Sequence, residues 1–419
     1  MTFKHPKPAM SPKQIVVLGG GFAGLWSAVG AARQLDQLGY GPDKVQVTLV
    51  NRDPYHSIRV RNYEADLSAI RVPLAEVLGP IGVRQVIGRV QNIDLPNQCV
   101  SVEVNEQAVT LSYDRLVFAL GSQLVRPPIP GLAEHSFDVD TYSGAARLAA
   151  HLQSLHTLAL GARSWTVLVV GAGLTGVETA AEMPQRLRAI QQAAGITEPI
   201  RVILADRNPL VGSDMGAAAR PVIEQALASL GVELQMAVDV ASVDASGVIL
   251  STGERIEAAT VIWCAGMRAN PLAADLPVDH DRFGRVAVDP YMRVTGIPYL
   301  FAAGDVAAAP IDGEHPSVMS CQHGRPMGRF AGHNVVCDLF GLPMLPLSID
   351  WYVTVLDLGA RGAVYTNGWD RHVVASGAVA KKTKQTINCQ RIYPPRSGNR
   401  AEILAAAAPI VQTPPDYEP

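Results

Sequence analysis

The chain has 419 residues, 48% of them hydrophobic and 17% charged, with a net charge of −3, which is material for two or three domains around sizeable cores. The balanced charge offers no basic face for nucleic acid, and no run approaches the ~20 apolar residues of a membrane-spanning helix. Lys4, Lys7 and Lys13 are interrupted by prolines with no apolar stretch behind them, and Cys99, Cys264, Cys321, Cys337 and Cys389 form no CxxC pair, so a cytoplasmic protein with buried free thiols is expected.

In chain order, an apolar strand Ile15–Leu18 runs into Gly19-Gly20-Gly21-Phe22-Ala23-Gly24 and then an alanine-rich helix from Leu25 to Leu38. A second strand, Val45–Val50, ends at Asn51-Arg52-Asp53-Pro54. A buried strand from Tyr113 turns at Ala119-Leu120-Gly121, and Pro127, Pro128 and Pro130 form a stiff exit. The opening pattern then recurs. Trp165–Val170 leads into Gly171-Ala172-Gly173-Leu174-Thr175-Gly176, a helix from Val177 to Gln192, and a strand Ile200–Ala205 ending at Asp206-Arg207-Asn208-Pro209. Pro184 is expected to break or kink that helix. Ala259–Gly266 closes the second unit, and Tyr299–Asp305 looks like a return into the first. From Pro346 the pattern changes to short alternating strands, followed by the basic cluster Lys381, Lys382 and Lys384. A helix limited by Pro409 to about Arg400–Ala408 comes next, and then a proline-bearing tail, residues 412–419, expected to be disordered.

Each strand, glycine turn and helix is the context a dinucleotide site requires. The first glycine makes the turn, the second admits a pyrophosphate, the third lets helix and strand pack, and the phosphates meet the positive helix N-terminus. Two such units predict two bound dinucleotides with electrons passing between them. The expected fold is α/β: two Rossmann-like domains, the second inserted in the first, plus a small C-terminal α+β domain. The boundaries are 1–130 with 275–345, 131–274, and 346–419. Aligning the two helices on Gly24 and Gly176 sets Trp26 opposite Glu178. A carboxylate in the small, apolar stretch Val177–Ala181 is costly unless it faces a polar cleft. Glu182, one turn on, shares its face, and the two would raise each other's pKa if close. Asp206, at a strand end, suits the ribose hydroxyls of NADH and repels a 2′-phosphate, while Arg207 beside it keeps NADPH open.

The order of four motifs over residues 14–345 resembles the pyridine nucleotide–disulfide oxidoreductase superfamily, and within it the type II NADH:quinone oxidoreductases. The resemblance implies FAD on Gly19, Gly21, Phe22, Ala23 and Gly24, with Asn51 and Arg52 at its ribose end. It adds Ala119, Gly121, Gly304, Asp305 and Val318 to that cradle, and puts NADH on Gly171, Gly173, Gly176, Asp206 and Gly266. It sets Glu178 beside the nicotinamide as the catalytic carboxylate. Gln322, His323 and Lys381 fall on the side of a small-molecule electron acceptor, a quinone by this resemblance. Three departures stand out. Asn51 replaces the usual acid, His323 replaces the second glutamine of the family's signature, and the chain ends in polar sequence where membrane-associated members carry apolar helices. No cysteine precedes Cys99, which leaves disulfide-reductase chemistry without a nucleophile. The implied activity is NAD(P)H dehydrogenation by an FAD enzyme with at most weak peripheral contact with the inner face of a membrane, through Lys381, Lys382 and Lys384. Two alternatives stay open: a soluble reductase of a small redox protein, and a slow redox sensor of the apoptosis-inducing-factor type.

Overall fold

The computed structural model describes residues 11–158 and 161–415. The first apolar run forms β1 (Lys13–Leu18), fully buried from Ile15 onward, and the glycine loop turns the chain into α1 (Phe22–Gln37). Strands β2 (Val45–Asn51), β3 (Arg84–Ile87) and β4 (Arg115–Phe118) follow in parallel register. The chain leaves this sheet through β5 (Ser122–Leu124) and builds the second unit from β6 (Thr166–Val170), α2 (Leu174–Ala194), β7 (Arg201–Asp206), β8 (Val232–Met236) and β9 (Thr260–Trp263). Its sheet is parallel with order β8-β7-β6-β9. β10 (Met267–Ala269) comes back antiparallel to β5, so outgoing and returning crossings are zipped together. β11 (Leu300–Ala302) then completes the first sheet in the order β11-β4-β1-β2-β3.

Next comes α3 (Cys321–Phe340), which lies along α1. The two backbones approach closely because glycines line the contact. A Cβ on Gly328 would sit 2.3 Å from the Ala23 carbonyl oxygen, and one on Gly332 2.2 Å from that of Ser27. The C-terminal part is an antiparallel sheet of β12 (Val353–Asp357), β13 (Ala363–Asn367) and β14 (His372–Ser376), covered by α4 (Gly377–Thr386). Leu356, Leu358 and Val364 from this sheet complete the core of the second unit. A final short helix, α5 (Arg400–Ala406), does not stay with the sheet: Ile403 and Leu404 are buried in the first-domain core, and Arg400 pairs with Asp36 at 2.7 Å.

Of the two outcomes expected at Pro184, break or kink, the break does not occur. Pro184 lies inside α2 without ending it. The helix continues because Val177, Ala180, Ala181, Met183, Leu187 and Ile190 are buried along its length, outweighing one lost backbone hydrogen bond. Nor is the segment before residue 416 loose: the Thr413 carbonyl accepts from Arg391, and the Tyr365 hydroxyl donates to the Pro415 carbonyl at 2.8 Å. Residues 416–419 of the expected tail lie outside the described residues. Among the described residues, no helix is long and apolar enough to cross a membrane.

Candidate active site

Both glycine loops show the same division of labour. Gly19 and Gly171 adopt φ of +104° and +106°, open only to glycine without strain. A Cβ on Gly24 would stand 1.9 Å from the Gly19 carbonyl oxygen, and one on Gly176 1.6 Å from that of Gly171, so these two positions serve helix–strand packing. The middle glycines differ. A Cβ on Gly21 meets nothing within 4 Å, and one on Gly173 meets only Asp214 Oδ2, at 3.3 Å. Each middle glycine caps a helix N-terminus with no side chain bonded to its amides, leaving free donors over open space where a pyrophosphate fits.

The strand-end residues brace these loops. Asn51 Oδ1 accepts from the Gly20 amide at 2.9 Å, while its Nδ2 donates to the carbonyls of Asp53 and Tyr55. Asp206 repeats the arrangement, one carboxylate oxygen accepting from the Ala172 amide at 2.5 Å and the other from Asn208 at 2.7 Å. Arg52 is exposed and lies 3.7 Å from Asp53. His56, fully buried, donates from Nδ1 to the Gly20 carbonyl, and burial lowers its pKa to about 4. At the far end of the first loop, Ala23, Gly304 (φ +79°), Phe22 and Gly324 converge; a Cβ on Gly304 would meet that of Ala23 at 2.7 Å. Ala119 donates to Leu18, continuing β4 past β1, and Gly121 turns at φ +72°. Asp305 accepts from the Ser122 hydroxyl at 2.6 Å and lies 3.7 Å from Arg59, which also pairs with Asp140.

Glu178 lies one turn into α2, 9% exposed, and holds a cation. Its Oε1 accepts from Lys384 Nζ at 2.6 Å and from the Asp357 amide at 3.1 Å. Burial pushes the Glu178 carboxyl above its usual range, with Lys384 pulling it back; for Lys384 the same burial opposes the charge, and Glu178 and Asp357 win. Lys384 also donates to the Val355 carbonyl at 2.8 Å. Next to this pair, Lys381 is held by both carboxylate oxygens of Asp357 at 2.6 Å, and Asp357 accepts from the Tyr63 hydroxyl at 3.2 Å. The pKa of Glu182 is raised by burial and by Asp357, rather than by Glu178 as its position suggested.

At the N-terminus of α3, the Val318 amide donates to His323 Nδ1 at 2.9 Å, and Ser320 caps the helix. His323 is fully buried against Tyr352 and Trp369, and burial lowers its pKa to about 4. It is therefore a neutral ring that fixes the loop before α3. Gln322 and Cys321 face an apolar pocket shared with Trp351, Val353, Ile387 and Ile392. Burial raises the Cys321 thiol, and all five cysteines are unpaired.

The sequence matches the pyridine nucleotide-disulphide oxidoreductase family over residues 13–328. The chain belongs to that family. It is 60% identical over 403 residues to an NADH dehydrogenase-like protein of Mycobacterium tuberculosis, covering 96% of this chain and all of that one. It is 30% identical over 336 residues to the type II NADH:quinone oxidoreductase Ndh of the same organism, with 74% and 70% of the two chains covered. Among solved structures, NDH2 from Plasmodium falciparum in complex with NADH superposes with a TM-score of 0.74 over 94% of this chain and 97% of its own, at 13% identity, a likeness of fold. The chain is thus an NADH-dependent flavoprotein oxidoreductase that binds FAD and NAD(H), and its two open loops fit those groups.

As a member of this family, the chain places its expected site residues unevenly. The glycines, Ala23, Phe22 and Asp305 gather around one loop, and Asp206 and Gly173 around the other. Lys381, expected on the acceptor side, is engaged with Asp357; the lysine that reaches Glu178 is Lys384. The proposed lysine patch therefore does not exist as a free surface, since Lys381 and Lys384 are spent on buried carboxylates. The Val318 amide, expected at FAD, is taken by His323. Sequence reading missed Arg59, Ser122 and Asp140 around Asp305, and Asp357 and Tyr63 around Lys381. That Lys381 and Lys384 share a helix face from which Lys382 points away was legible in the spacing, though their partners were not.

Proposed function

We propose that this enzyme oxidises NADH and delivers the electrons, through FAD, to a quinone. The buried Glu178–Lys384 ion pair carries this reading. Reducing a quinone to a quinol consumes two protons with two electrons, whereas an iron–sulfur carrier takes electrons alone. A buried ammonium held on a carboxylate, with a second lysine–carboxylate pair behind it, is a proton store that the first acceptor needs and the second does not. The chain's similarity to type II NADH:quinone oxidoreductases supports the same choice.

FAD, when bound, supplies the redox chemistry between NADH and acceptor. The chain's own residues do the rest. The amides behind Gly21 and Gly173 hold the pyrophosphates, so that proximity rather than acid–base work supplies most of the rate. Asp206 presents a carboxylate to the NADH ribose. Glu178 Oε1 holds a proton on Lys384 Nζ until the acceptor draws it. Lys381, 27% exposed beside Asp357, connects the pair towards solvent for refilling.

Anaerobic reduction by NADH followed by reoxidation with short-chain ubiquinone and menaquinone analogues tests the reading. Quinones should reoxidise the flavin, and Glu178→Gln should slow that step about tenfold, ~1.4 kcal/mol, while leaving FAD content and ferricyanide reduction unchanged. A flavin that NADH reduces but no quinone reoxidises refutes it.

A further inference from the structure

The N-terminal half of α3, beside Trp26 of α1, carries two arginines whose side chains find no partner among the described residues. Arg325 and Arg329, one helical turn apart, are 7% and 3% exposed. Each Nε is buried without a hydrogen-bond partner, and neither side chain takes part in an ion pair or hydrogen bond among the described residues. What they do touch is Trp26, whose ring lies 5.6 Å from the Arg325 guanidinium carbon and 4.6 Å from that of Arg329. The Trp26 indole N–H is itself buried and unpartnered. Three donors thus converge without an acceptor. Burial lowers both guanidiniums to about 10, and a cation–π contact does not offset burying two cations without counter-charge.

Both arginines line the pocket that starts at Cys321 and Gln322. Its other walls include Trp351, Val353, Ile387, Ile392 and Val411, with Arg391, which donates to the Thr413 carbonyl, at its edge and no Asp or Glu among the described residues of the lining. The volume, about 70 Å³, admits an acid group and the first carbons bonded to it. A guanidinium fork matches a carboxylate in two parallel hydrogen bonds, and the apolar walls suit whatever the acid is attached to. The second glycine-loop helix shows the contrast: there the position of Trp26 is held by Glu178, and its cation is neutralised within the chain.

We propose that this pocket is an anion site that takes the carboxylate of a ligand with an apolar body. The site rests on its own residues and does not depend on which acceptor the enzyme reduces. Two sources share the chemistry, a free fatty-acid-like amphiphile and an acceptor that itself bears an acid group.

Calorimetric titration of the FAD-loaded protein with decanoate and with decanol tests the site. Decanoate should bind at least tenfold more tightly, with quenching of tryptophan fluorescence. Arg325→Gln and Arg329→Gln should each abolish the difference, and Arg329→Lys should keep part of it. A carboxylated naphthoquinone turned over faster than its neutral parent assigns the acid to the acceptor, while competition by decanoate without that preference assigns it to a separate amphiphile. Equal affinity for decanoate and decanol, no binding of decanoate to the FAD-loaded protein, or a preference that persists in both glutamine variants overturns the proposal.

Discussion

The Glu178–Lys384 pair makes a quantitative prediction about stability that is separate from turnover. At 2.6 Å, with side chains 9% and 12% exposed, the gross attraction is about 6 kcal/mol at an effective dielectric near 20. Most of that offsets the cost of taking two charges out of water, so the net worth of the pair is far smaller. Removing one partner is a different matter, because it strands the other charge. Glu178→Gln leaves the Lys384 ammonium on the Val355 carbonyl and beside Asp357; Lys384→Met leaves the Glu178 carboxylate on the Asp357 amide. Each should cost about 3 kcal/mol, the lower end for a broken buried pair, since each survivor keeps one hydrogen bond. The double variant removes both charges and should cost less than the two singles together by about 2 kcal/mol. Urea unfolding of the four proteins, each saturated with FAD, measures this coupling. Losses that add within ~0.5 kcal/mol would show that the two groups do not depend on each other, and the argument for a shared proton would fail with it.

The remaining predictions concern the loops and the histidines. Gly21→Val should fold normally and lose FAD, visible as colourless protein, whereas Gly24→Val, whose Cβ overlaps the Gly19 carbonyl, should yield no folded protein; a yellow Gly21 variant would refute the cradle. Asp206→Ser should narrow the preference for NADH over NADPH in kcat/KM, and a wild-type preference for NADPH would mean that Arg207 dominates. His56 and His323, both lowered from 6.5 to about 4 by burial, stay neutral in the folded chain while the unfolded chain binds protons. Their contribution is complete above pH 6.5 and falls as pH drops towards 4, by up to about 3 kcal/mol each. His323→Asn, which keeps an acceptor for the Val318 amide, should flatten that slope in denaturation curves at pH 7, 5.5 and 4.5 (pH values chosen to span roughly that window); an unchanged slope would show that His323 does not titrate there.

What could be read from sequence was whatever repeats locally. Strand, glycine loop and helix occur within about twenty residues, and the loop dictates its own geometry through φ and close approach, so both dinucleotide sites and the strand ends at Asn51 and Asp206 were legible. The equivalence went further than expected. Asn51 and Asp206 brace the same loop amide, so the amide side chain at 51 keeps the structural half of the role and gives up the charge. Pro184 misled because helix-breaking is a local rule, and here a buried face along the whole of α2 prevailed over it. Partnerships between distant segments left no local trace. Lys384 is 206 residues from Glu178, and Asp357 could not be assigned to Lys381 without knowing that β12 packs beside α4.

The comparison of the two loop helices shows why such a chain needs its third part. Helices α1 and α2 begin alike, and three residues past their middle glycines each still lacks charge, as a helix under an anionic cofactor should. Two positions beyond the third glycine they diverge, Trp26 on one and Glu178 on the other. Glu178 is buried beneath the C-terminal region and Trp26 against α3, and both meet cations. The carboxylate draws Lys384 from α4 and is neutralised; the indole can only lend its face to Arg325 and Arg329 and leaves their charge standing. A duplicated scaffold thus presents a balanced pair on its NADH-binding half and two unbalanced cations on its FAD-binding half. The C-terminal segment covers both, and that difference in charge distinguishes two otherwise similar helix faces: one stores a proton within the chain, and the other calls for an anion from outside it.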